Sequence, residues 1–449
     1  MKLYLRCIGK SSDDYITGNE VKNTVVISTS FTFVCIAYLA LQNLQSSLNQ
    51  EANLGVLSLA CMYAFFIVSA TLAPTFIKLV GGKLALVIAW IGQSLYTASN
   101  FYPHFATLIP SSVVLGLVSG PLWTSQSLYI STNAYSLAKR NNKSLHAVLS
   151  KLNGIFFTMF QTAQIFGNLI SSLVFDNGNY PEQLTNTTRI CGGGECPLDL
   201  NASKIIEPNK STVYLLLSIF LVCDLIGLLL TTFFLPPLPK SDWSKQRSVR
   251  KSVVSCFSAL SDTKLLSLVP LMAFEAIQQT ILYSDFTKSY ISCPVGIKMV
   301  GYIMATFGGT TTVFSFIIAR TAKFTSRYVL FAIGTVVNMA IFVFLYFWQP
   351  TADDLPYMFA VAGAWGLVDS IWRTQCNALI ALLFPEKKEP AFANYHSWKS
   401  GMFTVSFLMC NFVCVSIKLL IALGLLAIAM LLYVSVEIRV YREGKTNFN

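Results

Sequence analysis

Charge is what this sequence has least of. Asp, Glu, Lys and Arg make up 12% of its 449 residues, about half the share found in a soluble globular chain. Histidine is scarcer still: His104, His146 and His396 are the only three, too far apart in sequence to suggest a catalytic metal. Enzyme signatures are missing too, with no Gly-rich phosphate loop and its lysine, no GxSxG elbow, no HExxH and no CxxC pair. The short run Gly192 to Glu195 has neither a strand before it nor a helix after it, so it reads as a flexible turn. These absences argue against an enzyme, a bound metal or a cofactor.

What is present instead is apolar sequence. Hydrophobic residues account for 54% of the chain, and the mean hydropathy is +0.58. Twelve helical segments are expected near 23–44, 53–75, 84–102, 105–131, 150–175, 212–235, 265–283, 296–319, 328–348, 355–384, 391–415 and 417–436. Each is about long enough to cross roughly 30 Å of hydrocarbon. The chain therefore reads as an all-α, polytopic membrane protein with the lipid bilayer as its main solvent. Residues 1–22 are polar, carry Lys2, Arg6, Lys10 and Lys22, and lead into a helix too long for a signal-peptide core, so no cleaved leader is expected.

A net charge of +11 would suit nucleic acid, but the basic residues are distributed as a topology signal. With a cytosolic N-terminus, 24 Lys and Arg fall on the cytosolic side and 6 on the other, and Arg373 and Lys399 remain inside, which accounts for all 32. The positive-inside rule then predicts cytosolic termini and no nucleic-acid partner. The predicted organisation is a tail (1–22), a six-helix half (23–235), a cytosolic linker (236–264), a second six-helix half (265–436) and a tail (437–449).

Residues 176–211 form the long external loop within the first half. Three N-x-[ST] acceptors, Asn186, Asn201 and Asn209, lie in it, and glycosylation is expected there. Cys191 and Cys196 share the loop, and an oxidising compartment favours their pairing with each other. The two halves also resemble each other: Leu122-Trp-Thr-Ser-Gln126 matches Ile371-Trp-Arg-Thr-Gln375, and the turn bearing Lys83 answers the one bearing Arg327. Parallel six-helix repeats are the mark of the major facilitator architecture, with any substrate site near the midplane between the halves.

Several runs carry a family resemblance. Leu41 to Leu48 (LQNLQSSL), Gly167 to Phe175, Ser289 to Met304, Trp365 to Leu379 (WGLVDSIWRTQCNAL) and Ala391 to Trp398 resemble the uncoordinated-93-like family, most closely its A-type homologues. The CGGGEC loop fits that family's C-x4-C pattern. The resemblance implies a major facilitator fold and a non-enzymatic role. The nematode founder is associated with a potassium-channel complex as a regulatory subunit, and another vertebrate branch escorts endosomal receptors. One departure from the wider superfamily concerns the loop after the second segment, where FIKLVGGK has no acid between Phe76 and Lys83. A transporter's usual cytosolic gate is thereby in doubt.

Inside the predicted spans, a charge at bilayer depth costs about 2.5 to 3.5 kcal/mol, so it normally faces protein or water and has a partner. Asp369 and Arg373, four residues apart, share one helix face in the favourable order. Glu275, Lys399 and Asp224 are further intramembrane charges, and His396 lies one turn before Lys399. Gln42 and Gln45 are expected to face the bundle interior, with Gln278 and Gln279 extending the polar lining opposite them. Trp123 and Trp372, in the repeated motif, are candidates for lining a central cavity. Each charged pair has two readings: a permanent ion pair holding helices in register, or a proton-responsive carboxylate of a transporter. Two functions follow. One is a regulatory or escort subunit of another membrane protein, with a potassium channel as the example; the other is a secondary transporter of a small solute, proton-coupled in its fuller form. The loop implies passage through the secretory pathway, to the plasma membrane or an endolysosomal membrane.

Overall fold

The computed structural model describes residues 18–178, 191–197, 208–238, 263–321, 325–383 and 388–446. Twelve long helices are found among them. The first six are α1 (Glu20–Leu48), α2 (Leu54–Val80), α3 (Gly82–Ser99), α4 (Phe105–Arg140), α5 (Leu145–Asp176) and α6 (Lys210–Phe234). The second six are α7 (Thr263–Thr280), α8 (Lys298–Thr321), α9 (Arg327–Phe347), α10 (Leu355–Leu383), α11 (Lys388–Met409) and α12 (Val415–Thr446). Eight of them are long and apolar enough to cross a membrane by length and composition. The other four, α3, α5, α10 and α11, carry more polar sequence, such as Asp369 and Arg373 in α10 and Lys399 in α11.

Local chemistry sets many of the helix ends. His104 and Thr107 form a reciprocal capping box at the start of α4, and Ser144 accepts from the Ala147 amide to cap α5. Asn209 caps α6 by accepting from the Ser211 amide. Gly81, at φ +86°, is the one residue between α2 and α3, a left-handed turn that a side chain would strain.

Within the first half, α1 packs on α5 and α6, α2 on α4, and α3 on α4 and α6. In the second half, α7 packs on α11 and α12, α8 on α10, and α9 on α10 and α12. Contacts between halves run through α5 with α8, α2 with α11, and the far end of α7 with α1. Ser46 shares a hydrogen bond with Thr287 at 3.2 Å, and Ser47 with Ser292 at 2.8 Å. Ser172 donates to the Lys298 carbonyl and accepts from the Tyr302 amide. Such hydroxyl bridges join membrane helices without leaving a polar group unpaired in hydrocarbon.

Three elements differ from the sequence reading. The α7 segment does not stop near residue 283; it continues as a π-helix from Ile281 to Ser292 and a last turn to Val295. Its polar residues, Asp285 and Lys288 among them, resemble a loop in sequence, but these two form ion pairs with Lys418 and Glu195 on neighbouring elements. Helix α4 runs nine residues past its predicted end at 131, and α12 ten past 436. Lys418 is a buried residue of α12.

Close approach of α5 and α8 depends on glycine. A Cβ at Gly301 would lie 2.1 Å from the Asn168 carbonyl oxygen, whereas one at Gly424 on α12 meets nothing within 4 Å. Gly301→Ala is expected to destabilise the folded protein by about 1 to 3 kcal/mol, the range for overpacking. Gly424→Ala should leave the melting midpoint unchanged or slightly raised. Thermal unfolding of the two purified variants checks the contrast.

Candidate functional site

Three helices present stripes at four-residue spacing toward one another: Glu275, Gln279 and Tyr283 on α7, Asp369 and Arg373 on α10, and Tyr395, Lys399 and Phe403 on α11. On an α-helix that spacing stacks side chains along one face. The stripes meet in two charged clusters. Arg373 Nε lies 2.6 Å from Asp369 Oδ2. Gln279 donates to Asp369 Oδ1 at 2.7 Å, and Arg373 Nη2 donates to the Tyr283 hydroxyl at 3.1 Å. In the second cluster Lys399 donates to one oxygen of Glu275 and the Tyr395 hydroxyl donates to the other. Lys399 also lies 5.8 Å from the Tyr395 ring centroid and 5.9 Å from that of Phe403. Each buried carboxylate thus has one cation beside it and one neutral donor, the arrangement that makes a buried charge tolerable.

The first half reaches this site through Tyr63 of α2. Its ring stacks on Phe403 at 4.4 Å and on Phe407 at 5.8 Å, and its hydroxyl accepts from Gln42 at 3.0 Å. Gln42 is therefore tied to Lys399 through two intervening side chains, Tyr63 and Phe403.

Other residues singled out in sequence lie elsewhere. Gln45 donates to Tyr96 and Asn100, an amide network within the first half. Asp224 accepts from Thr97 at 2.6 Å, joining α6 to α3. Gln278 does not extend a lining opposite Gln42: its Oε1 accepts from the Trp365 indole at 2.6 Å, on another face of α7 from Gln279. Trp372 is fully buried rather than cavity-lining, because its indole N–H is satisfied by Asn338 at 2.7 Å and its rings pack on Phe274 and Phe331. Trp123 is half-buried against Phe31 and Phe160. His396 is exposed, edge-on to Tyr395 at 5.1 Å. Asn186 and Asn201 lie outside the described residues.

The loop cysteines do not pair with each other. Cys191 is bonded to Cys293 at the end of α7, and Cys196 to Cys414 at the start of α12. Packing explains the correction. The glycines between them form a tight turn pressed against α9's end, where a Cβ on Gly192 would lie 2.6 Å from Pro350 and one on Gly193 2.9 Å from the Tyr346 carbonyl. This tongue is a packed element rather than a flexible turn, and it aims its two cysteines at different helices. Glu195 pairs with Lys288 at 3.3 Å and its carbonyl accepts from the Val415 amide. One layer deeper, Asp285 and Lys418 form a buried ion pair between α7 and α12. Sequence reading passed over this pair, although a lysine in the apolar run VSIKLLIALG is a signal of the same kind as Arg373.

Two six-helix halves joined by α5–α8 and α2–α11 contacts define a membrane protein of the major facilitator fold. The nucleoside transporter NupG superposes with a TM-score of 0.61 at 12% identity, covering 93% of this chain and 98% of that one. A D-xylose-proton symporter gives 0.61 at 12% identity, with 91% and 96% covered. Sequence narrows the class: residues 47–434 match the family described as ion channel regulatory protein UNC-93, and the chain belongs to that family. Protein unc-93 homolog A of Bos taurus is 38% identical over 95% of this chain and 94% of its own length. The homolog A of Xenopus laevis is 36% identical over 95% of both. The Caenorhabditis elegans protein named putative potassium channel regulatory protein unc-93 is 29% identical, over 93% of this chain and 61% of its own length.

Two measurements test the geometry of the site and the tongue. Peptide mapping without reduction should recover Cys191 with Cys293 and Cys196 with Cys414; a Cys191–Cys196 peptide would contradict the packing. Lys399→Met, which leaves Glu275 buried without its cation, should cost about 3 to 5 kcal/mol of stability. The double variant Glu275→Gln/Lys399→Met should regain most of it, read as thermal midpoints of the purified proteins.

Proposed function

We propose that this chain is a non-enzymatic regulatory or escort subunit of another membrane protein, with a potassium channel as the partner class. The observation that carries the reading is the match of residues 47–434 to an ion channel regulatory family. The name of the nematode relative supports the class of partner. Rigidity at one end of the bundle supports it as well: α7 is held to α12 by a buried ion pair and, through the tongue, by two disulfides. A surface held in this way can be presented to a partner without first being ordered, which lowers the entropic cost of association.

We assign the tongue end to the external or lumenal side, because disulfides persist in oxidising compartments. The tails and the 236–264 linker then belong to the cytosol, in keeping with their basic residues. Glycans on Asn186, Asn201 and Asn209 fit the same assignment, in a plasma membrane or endolysosomal membrane.

A second reading, a secondary transporter of a small solute with proton coupling, is favoured by the fold and by the charged site beside the Tyr63 bridge between the halves. One pair of experiments separates the two. In cells expressing a potassium channel, the regulatory reading expects this chain to co-purify with the pore subunit in mild detergent and to change the potassium current. Absence of both effects, together with solute-driven proton uptake into proteoliposomes that Asp369→Asn abolishes, would replace it with the transport reading.

A further inference from the structure

The two central ion pairs are oriented alike. Asp369 and Glu275 have fully buried side chains, whereas their partners Arg373 and Lys399 keep 34% and 16% of their side-chain surface accessible. In each pair the acid lies behind and the base in front. The front is the space beside the inter-half layer, because Lys399 lies against Phe403, and Phe403 stacks on Tyr63 of the other half. The contacts described between the halves, from Ser47–Ser292 to Tyr63–Phe403, gather toward the tongue end of this layer. Arg373 follows Asp369 by one turn away from that end, since α10 begins at Leu355 beside the end of α9 on which the tongue packs.

Hydrogen-bond bookkeeping points the same way. Nε of Arg373 lies in ion-pair contact with Asp369, Nη2 donates to Tyr283, and no hydrogen bond from Nη1 is made among the described residues. The Tyr283 hydroxyl accepts from Arg373 and keeps its own hydrogen to donate. The guanidinium and the phenol hydroxyl are thus neighbouring donors, and both carboxylates paired with the two cations are fully buried. A guanidinium edge with a phenol beside it matches the planar geometry of a carboxylate or phosphate group.

We infer that the central site binds a small organic anion through Arg373, with Lys399 and the Tyr283 hydroxyl as further donors. The anion bonds to the exposed guanidinium edge while Asp369 and Glu275 hold the two cations in place from behind. A cationic solute would meet the two bases first and be repelled; a neutral one would lack the charge-assisted bonds. The inference rests on the geometry of this site and not on the channel reading, so either stands if the other fails.

The test uses the purified full-length protein in detergent and paired probes of one shape: sodium benzoate against benzamide, and glucose 6-phosphate against glucose, with sodium chloride matching ionic strength. Binding to the folded state raises the thermal midpoint with ligand concentration. One or both anions are expected to raise it while benzamide, glucose and chloride do not. The double variant Asp369→Asn/Arg373→Gln, which leaves no unpaired charge, should abolish the shift. Glu275→Gln/Lys399→Gln, which leaves no unpaired acid, and the conservative Arg373→Lys should each weaken apparent affinity by about tenfold or more, which keeps the test decisive if the first double variant fails to fold. Equal shifts with the anions and their neutral counterparts, no shift with either anion, or a shift that persists in both Arg373→Lys and Glu275→Gln/Lys399→Gln would overturn the proposal.

Discussion

The charged layers of this molecule's second half follow from the expense of leaving a charge unpaired away from water. Asp285 bonds Lys418, Glu275 bonds Lys399 and Tyr395, and Asp369 meets Arg373 and Gln279. In all three clusters one partner is on α7. That helix cannot rotate or slide relative to α11 or α12 without separating a buried carboxylate from its cation, or relative to α10 without breaking the Gln279–Asp369 and Arg373–Tyr283 hydrogen bonds. The arrangement fixes α7 as the element against which the rest of its half is registered.

The π-helical stretch of α7 makes sense in this setting. Wider helical turns shift side chains around the axis relative to an α-helix, and such segments recur at functional positions. Here the shift falls between Tyr283, which serves the central site, and Tyr290, whose hydroxyl donates to the Leu345 carbonyl at the tongue end. One helix thus serves two layers, a charged one near the middle and a hydroxyl-rich one where Thr287 and Ser292 meet α1. The tongue closes the second layer by covalent bonds, although it belongs in sequence to the connection between α5 and α6.

Much of this was legible in the residues, and the limits are physical. Hydrophobic length pointed to the helical segments, eight of which are long and apolar enough to cross a membrane, and four-residue spacing put Asp369 beside Arg373, because both depend on local geometry. Glu275 was visible as a buried acid, but its cation and its tyrosine come from α11, more than a hundred residues away. Tyr63, Tyr283 and Tyr395 were hidden among 19 tyrosines, since an aromatic residue in a membrane span usually marks packing or an interface. The cysteine pairing was misjudged for a related reason. Closeness in sequence favours Cys191 with Cys196, yet the tight turn between them exists because α9's carbonyls press on Gly193, a contact that no local pattern encodes.

The repeated motif shows how the two halves came to differ in chemistry while keeping one fold. Aligning Trp123 with Trp372 sets Gly120 against Asp369 and Thr124 against Arg373. In α4 that register serves close packing: a Cβ on Gly120 would lie 2.5 Å from the Ala70 amide of α2, and Ser69 of α2 donates to the Gly116 carbonyl. In α10 the same register carries an ion pair, and close approach to α8 moves one turn back to Gly366, where an added Cβ would lie 2.0 Å from the Thr310 hydroxyl. Moving the small residue by three positions frees the next turn for charge without giving up the helix contact. The first half, with Asp224 held by Thr97 and several amides bonded to one another, supplies a mostly uncharged polar wall. The second half concentrates the charges, so whatever distinguishes one ligand or partner from another is decided mainly there.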